Sequence, residues 1–162
     1  MKYIEFFFWV ASFLIVYSYL LYPVILFSLS RLLSKKDNQT FVFRQNDNSL
    51  PSVSVVISAY NEEACIEERI KNLLSLEYPH DKIRLLIASD GSTDDTNAIL
   101  NSFDDPRLAV FCFEENRGKI NVLNDLLSRV TSEITVFSDA NTMFENDAIL
   151  NLVAPFREDQ VG

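Results

Sequence analysis

Glycine, proline, cysteine and histidine are all scarce in this chain, at 3, 5, 2 and 1 among 162 residues. Cys65 and Cys112 stand far apart with no Cys-x-x-Cys spacing. They read as buried thiols of a reducing compartment, not as a disulfide or half of a metal site. A single histidine, His80 in the loop Tyr78-Pro79-His80-Asp81, excludes a structural zinc site and is expected to be solvated. Cations are short as well, 14 against 23 carboxylates, for a net charge of -9. The imbalance is local. Residues 1–50 hold Lys2, Arg31, Lys35, Lys36 and Arg44 against Glu5, Asp37 and Asp47, a balance of +2 that leaves -11 for residues 51–162. An acidic segment of that kind lacks the cationic footprint that nucleic acid needs, so no nucleic-acid partner is expected. It suits a site that handles phosphates through a metal. Internal repeats and low-complexity tracts are absent.

Charge is missing altogether from Phe6 to Ser30. At about 1.5 Å per residue a helix over this run reaches roughly 37 Å, enough to cross a hydrocarbon core of about 30 Å with some tilt. Trp9, Tyr17, Tyr19 and Tyr22 suit the interfaces, and Pro23 is tolerated in a span. The rival is a cleaved signal peptide, but Leu29-Ser30-Arg31-Leu32-Leu33 offers no Ala-x-Ala pattern and a lone Lys2 makes a thin leader. Residues 1–33 are therefore expected to be a transmembrane anchor, followed by a polar linker at 34–50. Arg31, Lys35 and Lys36 place the soluble part, 51–162, on the cytoplasmic face of the cell membrane by the positive-inside rule.

From Pro51 the pattern alternates. Val53–Ile57, Ile83–Ala88, Leu108–Phe113 and Ile134–Phe137 are β-branched or apolar runs that predict strands. Between them, Asn61 is expected to cap a helix with Glu62 and Glu63 in its first turn and Ile66, Ile70, Leu73 and Leu74 on one face. Further helices are expected at Asp94–Phe103, with Ile99, Leu100 and Phe103 inward, at Lys119–Val130, with Ile120, Leu123, Leu126, Leu127 and Val130 inward, and at Asp147–Phe156. Such alternation implies an α/β fold with a parallel sheet and right-handed crossovers, whose ligands bind beyond the carboxyl ends of the strands.

The unusual residues fall at those ends. The stretch after the first strand is either an ordinary N-cap with an acidic first turn, the plainer reading for it alone, or part of a site in which Tyr60 stacks on a base and the helix start at Asn61 points free N–H groups into the crevice. Asp90, after the second, is either a solvated turn residue or an acceptor for a uracil N3–H or a ribose hydroxyl. Gly91 suits the tight turn there, and Ser92, Thr93 or Asp94 can cap the next helix. Lys119, after the third strand, is a cation at a helix N-terminus, against the dipole preference. It is either a solvated side chain beside Glu114 and Glu115 or the partner of a phosphate. After the fourth, Asp139 and Asn141 can offer hard oxygens to Mg²⁺ or Mn²⁺. Taken together these describe a pocket for a nucleoside diphosphate. A phosphatase or receiver would want its Asp after the first strand, which here ends Ser58-Ala59-Tyr60.

Four stretches then stand in order: Val55-Val56-Ile57-Ser58-Ala59-Tyr60-Asn61-Glu62-Glu63, Ser89-Asp90-Gly91-Ser92-Thr93-Asp94, Asn116-Arg117-Gly118-Lys119 and Ser138-Asp139-Ala140-Asn141. In that order and spacing, Pro51 to Gly162 resembles a family 2 glycosyltransferase of the GT-A fold. The span, with Leu21-Tyr22-Pro23 before a basic edge, resembles the membrane-bound members related to poly-N-acetylglucosamine, cellulose and hyaluronan synthases. The resemblance implies a Rossmann-like β-α-β sandwich that binds a nucleotide-sugar donor, usually UDP-linked. It implies sugar transfer with inversion to a polysaccharide or glycolipid acceptor, aided by Mg²⁺ or Mn²⁺. By the same resemblance Ala59, Tyr60 and Glu62 border the uridine, Asp90 contacts the uracil and Lys119 lies near the diphosphate. Asp139 and Asn141 stand at the Asp-x-Asp motif that holds ribose and metal. Asn141 replaces the usual second Asp, which predicts weaker metal binding. The family's general base and its Gln-x-x-Arg-Trp motif are expected beyond Gly162, since Glu158 and Asp159 come too early and the only Trp is Trp9. The chain is thus read as an anchor plus the donor-binding half. A catalytically incomplete nucleotide-sugar-binding fragment or regulatory subunit is the alternative.

Overall fold

The structure is a computed structural model that describes residues 2–33 and 49–157. The expected linker, 34–50, lies outside the described residues except for its last two, and so do Glu158 and Asp159. The chain divides into two compact units, Met1–Thr40 and Phe41–Gly162.

The first unit is helical. α1 (Lys2–Val16) and α2 (Tyr22–Leu33) are joined by one π-helical turn, Tyr17–Leu21. Pro23 explains the interruption. It has no N–H to give to the carbonyl four residues back, and its ring crowds that carbonyl, so the ladder widens by one residue and Tyr22 N donates to Tyr17 O. Lys2–Leu32 is long and apolar enough to cross a membrane. None of α1 is buried within the structure, and Phe6, Phe7, Trp9, Phe13 and Leu20 are all exposed.

The second unit is a four-stranded parallel sheet with helices on both faces. Its strands are β1 (Val53–Ala59), β2 (Ile83–Asp90), β3 (Leu108–Phe113) and β4 (Ile134–Asp139), in the spatial order β3-β2-β1-β4. The chain builds outward from β1 to β3, then returns to place β4 on the other side of β1. That reversal is a topological switch point, where an open parallel sheet leaves a crevice at the strands' carboxyl ends. β1 is central and covered on both faces, which is why Val-Ser-Val-Val-Ile-Ser-Ala is nearly unbroken in apolar character.

Val53, Val55, Ile57, Leu85 and Ile87 point to one face, where Ile66, Ile70 and Leu73 of α3 (Ile66–Leu74), Leu100 of α4 (Thr96–Asn101) and Ile149, Leu150 and Val153 of α6 (Ala148–Val153) complete the larger core. Each such aliphatic side chain contributes about 1.5–3 kcal/mol on burial. Val56, Leu86 and Ala88 point to the other face and meet Val122 and Leu126 of α5 (Lys119–Leu127), with Phe111, Phe113, Leu123 and Val130 packed around them.

Several local expectations are corrected. α3 starts at Ile66, not after Asn61, so Glu67 and Glu68 occupy its first turn. α4 begins two residues later than expected and α5 stops at Leu127. On α5 the inward residues are Val122 and Leu126, with Leu123 and Val130 beside them; Ile120 is 75% exposed and Leu127 also faces out. Because α5 is the sole helix on its face among the described residues, its contact stripe is narrow, and the i, i+7 pair Ile120 and Leu127 falls outside it. α6 gives way at Ala154 to a 3₁₀ turn that contains Pro155. Neither cysteine is the buried thiol expected: Cys65 is half-buried, and Cys112 is exposed because it lies on edge strand β3.

Candidate nucleotide-sugar site

A cleft of about 390 Å³ opens at the carboxyl ends of the strands. It is lined by Ser58 of β1 and by Tyr60 and Glu62 after it, by Asp90 of β2, by Asn116, Gly118 and Lys119 after β3, and by Asp139 of β4 with Ala140 and Asn141 after it. Of the residues singled out in the sequence, Tyr60, Glu62, Asp90, Lys119, Asp139 and Asn141 are brought together here. Ala59 is not. It is 1% exposed, and its methyl group belongs to the core on the opposite side of β1 from Ser58. Ser58 was missed, although strand alternation puts it opposite Ala59 and so on the cleft side.

The turn after β1 is built differently from the capped helix that was expected. Asn61 has φ +53°, a left-handed conformation that Asn tolerates. The N–H groups of Asn61, Glu62 and Glu63 do not face the crevice. They donate to Ser92 Oγ (3.1 Å), Thr96 Oγ1 (2.9 Å) and Asp94 Oδ2 (3.2 Å). In return Thr93 N donates to Asn61 Oδ1 (2.8 Å) and Asp95 N to Glu63 Oε2 (3.0 Å). The turns after β1 and β2 are therefore stitched to each other. Asp94 Oδ1 also accepts from Thr96 N (3.0 Å), so its side chain serves the start of α4.

Asp90 is 2% exposed and ends β2. Its Oδ1 accepts from Arg117 N (2.7 Å) and its Oδ2 from Gly118 N (2.9 Å). The carboxylate thus fixes the turn that presents Lys119, and it is not the solvated turn group that was one of its two readings. Gly118, at φ +85°, lets the chain swing from that turn into α5. Lys119 Nζ pairs with Asp139 Oδ1 across the cleft. The offset for a cation at a helix N-terminus is supplied by this carboxylate. Both side chains remain more than half exposed, so the pair is available to exchange partners.

Two more groups lie near the site without lining the cleft. Cys65 donates from its thiol to Glu62 Oε2 (3.1 Å), and burial together with that carboxylate pushes its pKa up to about 11, so it is no nucleophile. Arg69 lies fully buried behind β4, with its pKa pulled down to about 10 by burial, and remains charged.

The donor set bears on the expected cation. Asp139 supplies one carboxylate and Asn141 one carboxamide, and among the described residues no three His, Cys, Asp or Glu side chains group as a metal cage. One or two protein oxygens fit a hard cation whose remaining ligands are phosphate oxygens and water, as is usual for Mg²⁺ on a nucleotide.

Comparison with known proteins accords with this geometry. The sequence matches the Glycosyl transferase family 2 model over residues 54–162. It is 34% identical over 123 residues to a beta-monoglucosyldiacylglycerol synthase of Nostoc sp. (74% of this chain, 26% of the relative). It is 30% identical over 125 residues to a poly-beta-1,6-N-acetyl-D-glucosamine synthase of Staphylococcus epidermidis (76% of this chain, 30% of the relative). The chain thus spans roughly a quarter to a third of these relatives' length. Among solved structures, the mannosyltransferase PcManGT from Pyrobaculum calidifontis, in complex with GDP-Man and Mn²⁺, superposes with a TM-score of 0.72 at 28% identity, covering 86% of this chain and 41% of that one. S. aureus TarS 1-349 with UDP-GlcNAc gives 0.58 at 25% identity, over 64% and 30%. With the four motifs at four successive strand ends around one cleft, the second unit has the GT-A fold and the chain belongs to glycosyl transferase family 2.

Proposed function

We propose that the chain binds the nucleoside-diphosphate end of a sugar donor, UDP-linked, for transfer with inversion to a polysaccharide or glycolipid acceptor at the cytoplasmic face of the cell membrane. The observation that carries this reading is the convergence of Tyr60, Lys119, Asp139 and Asn141 on one cleft at the switch point, with the Lys119 turn fixed by Asp90. Relatives named as a glycolipid synthase and a polysaccharide synthase, and a solved neighbour holding UDP-GlcNAc, support the donor and acceptor classes.

In this reading Tyr60, half exposed at the rim, offers a ring face to the base, beside Glu62. Lys119 leaves Asp139 for the diphosphate, which frees the carboxylate to join Asn141 as a cation ligand. A divalent cation held there would neutralise the charge that develops on the departing diphosphate. Asp90 acts through the loop it holds, with any contact to the uracil made by the lone pairs that its two amides leave over. Asn141, lacking a charge, makes the cation depend on the phosphates it shares.

Calorimetric titration of UDP in Mn²⁺ tests the reading. Wild type is expected to bind, Asp139→Ala and Asp90→Ala to lose binding at least tenfold with the fold intact, and Asn141→Asp to bind more tightly. Wild-type affinity in both alanine variants would refute the assigned site.

A further inference from the structure

Arg69 is the anomaly of the molecule. It is 0% exposed, and among the described residues no carboxylate pairs with it. The other buried charges are answered: Arg107 by Asp105, and Asp90 by two amides. The Arg69 Nε is buried and without a hydrogen-bond partner. A charge buried without a counterion is costly, and replacing it with an apolar side chain of similar volume would ordinarily stabilise a fold.

What Arg69 does touch is informative. Its Nη2 donates to Ser138 Oγ (2.8 Å), its Nη1 to Asn72 Oδ1 (2.9 Å), and its guanidinium lies 4.4 Å from the centre of the Phe144 ring. Asn72, one turn along α3, accepts from Phe144 N (2.9 Å) and donates to Phe144 O (2.8 Å). The pair therefore grips residues 138 and 144, the two ends of one segment. Between those ends stand Asp139, which closes β4 beside Ser58 and pairs with Lys119, and Asn141, whose stretch is held otherwise by the buried Ala140 and by the long contact of Thr142 N to Asp139 O at 3.4 Å.

We propose that Arg69, with Asn72, is a positioning residue for Asp139 and Asn141: from behind β4 it fixes both ends of segment 138–144 and so sets how the two cation-binding oxygens face the cleft. Neither Arg69 nor Asn72 lines the cleft, so the effect passes through the loop. The inference rests on the nucleotide-cation reading above.

The test uses the full chain in detergent and measures UDP affinity twice, in Mn²⁺ and in EDTA. The ratio isolates what the cation contributes. In Arg69→Met that ratio is expected to fall at least fivefold while the EDTA affinity stays within twofold of wild type. Arg69→Lys, which keeps the charge on a single donor nitrogen, is expected to recover part of it. Ser138→Ala, a small change that removes the acceptor of Nη2, is expected to lower the ratio about threefold and serves alone if Arg69→Met does not fold. A wild-type ratio in the folded Arg69→Met or in Ser138→Ala overturns the positioning role. So does an equal loss in both buffers, which marks a merely structural residue. Wild-type protein that binds no UDP in either buffer, or binds equally in both, overturns the nucleotide-cation reading itself, and this inference with it.

Discussion

At Gly91 there is room for a hydrogen and nothing larger. A Cβ there would come within 2.5 Å of Asn116 N and 2.6 Å of the Glu115 carbonyl carbon, both backbone, and φ is +68°. The tight turn read from the sequence explains the positive φ. The close approach of the turn after β3 could not be read, because it depends on Asp90 drawing the amides of residues 117 and 118 toward β2. Gly91→Ala is expected to lower stability by about 1–3 kcal/mol through strain at that position. It should also weaken UDP binding, because the turn carrying Lys119 must shift. Urea unfolding with an unchanged slope, alongside calorimetry, checks both. Asp90, Lys119 and Asp139 were legible as a group because strand ends collect ligand residues. Their partners were not, since a carboxylate beside a glycine looks the same whether it meets solvent, a ligand or a neighbouring turn.

At the scale of elements, the turn from α4 into β3 carries an acid-sensitive joint. Arg107 is buried at the start of β3, and its Nε and Nη2 donate to Asp105 Oδ1 and Oδ2, both at 2.9 Å, while Nη1 donates to Leu74 O at the end of α3. The Arg107 hydrogen bonds hold the Asp105 carboxyl down at about 2. A depressed carboxylate pKa adds stability above its unfolded value, near 4, and that stability is lost as pH falls through the folded value, between about 4 and 2. Asp105→Asn is therefore expected to be less stable than wild type by about 2 kcal/mol at pH 7, with the difference closing near pH 2. Urea midpoints across that range check it. The strands were legible because burial on both faces demands unbroken apolar runs. The helix starts were less so. Asn61, Glu62 and Glu63 have the composition of a capped first turn, yet their N–H groups are claimed by Ser92, Thr96 and Asp94 thirty-odd residues away, a pairing that local pattern does not reveal. Ile120 and Leu127 failed as core residues for a related reason: with one helix on that face of the sheet among the described residues, those two positions of the expected stripe on α5 go uncovered.

For the whole molecule, the unburied apolar helix from Lys2 to Leu32 leads to the expectation that the chain stays in the pellet when membranes are washed at alkaline pH and leaves it only with detergent. Release by the wash would point to a peripheral association. The linked turns at the ends of β1, β2 and β3 carry one more consequence, for how donor preference can change over generations. Asn61, Glu63, Ser92, Asp94 and Thr96, beside the cleft, are committed to joining the turns after β1 and β2, so substitutions among them alter the scaffold before they alter selectivity. Tyr60 and Asn141 stand in the same cleft outside that lattice. New specificities would arise there first, and a mutant library confined to those two positions should retain far more folded members than one spread over the rim.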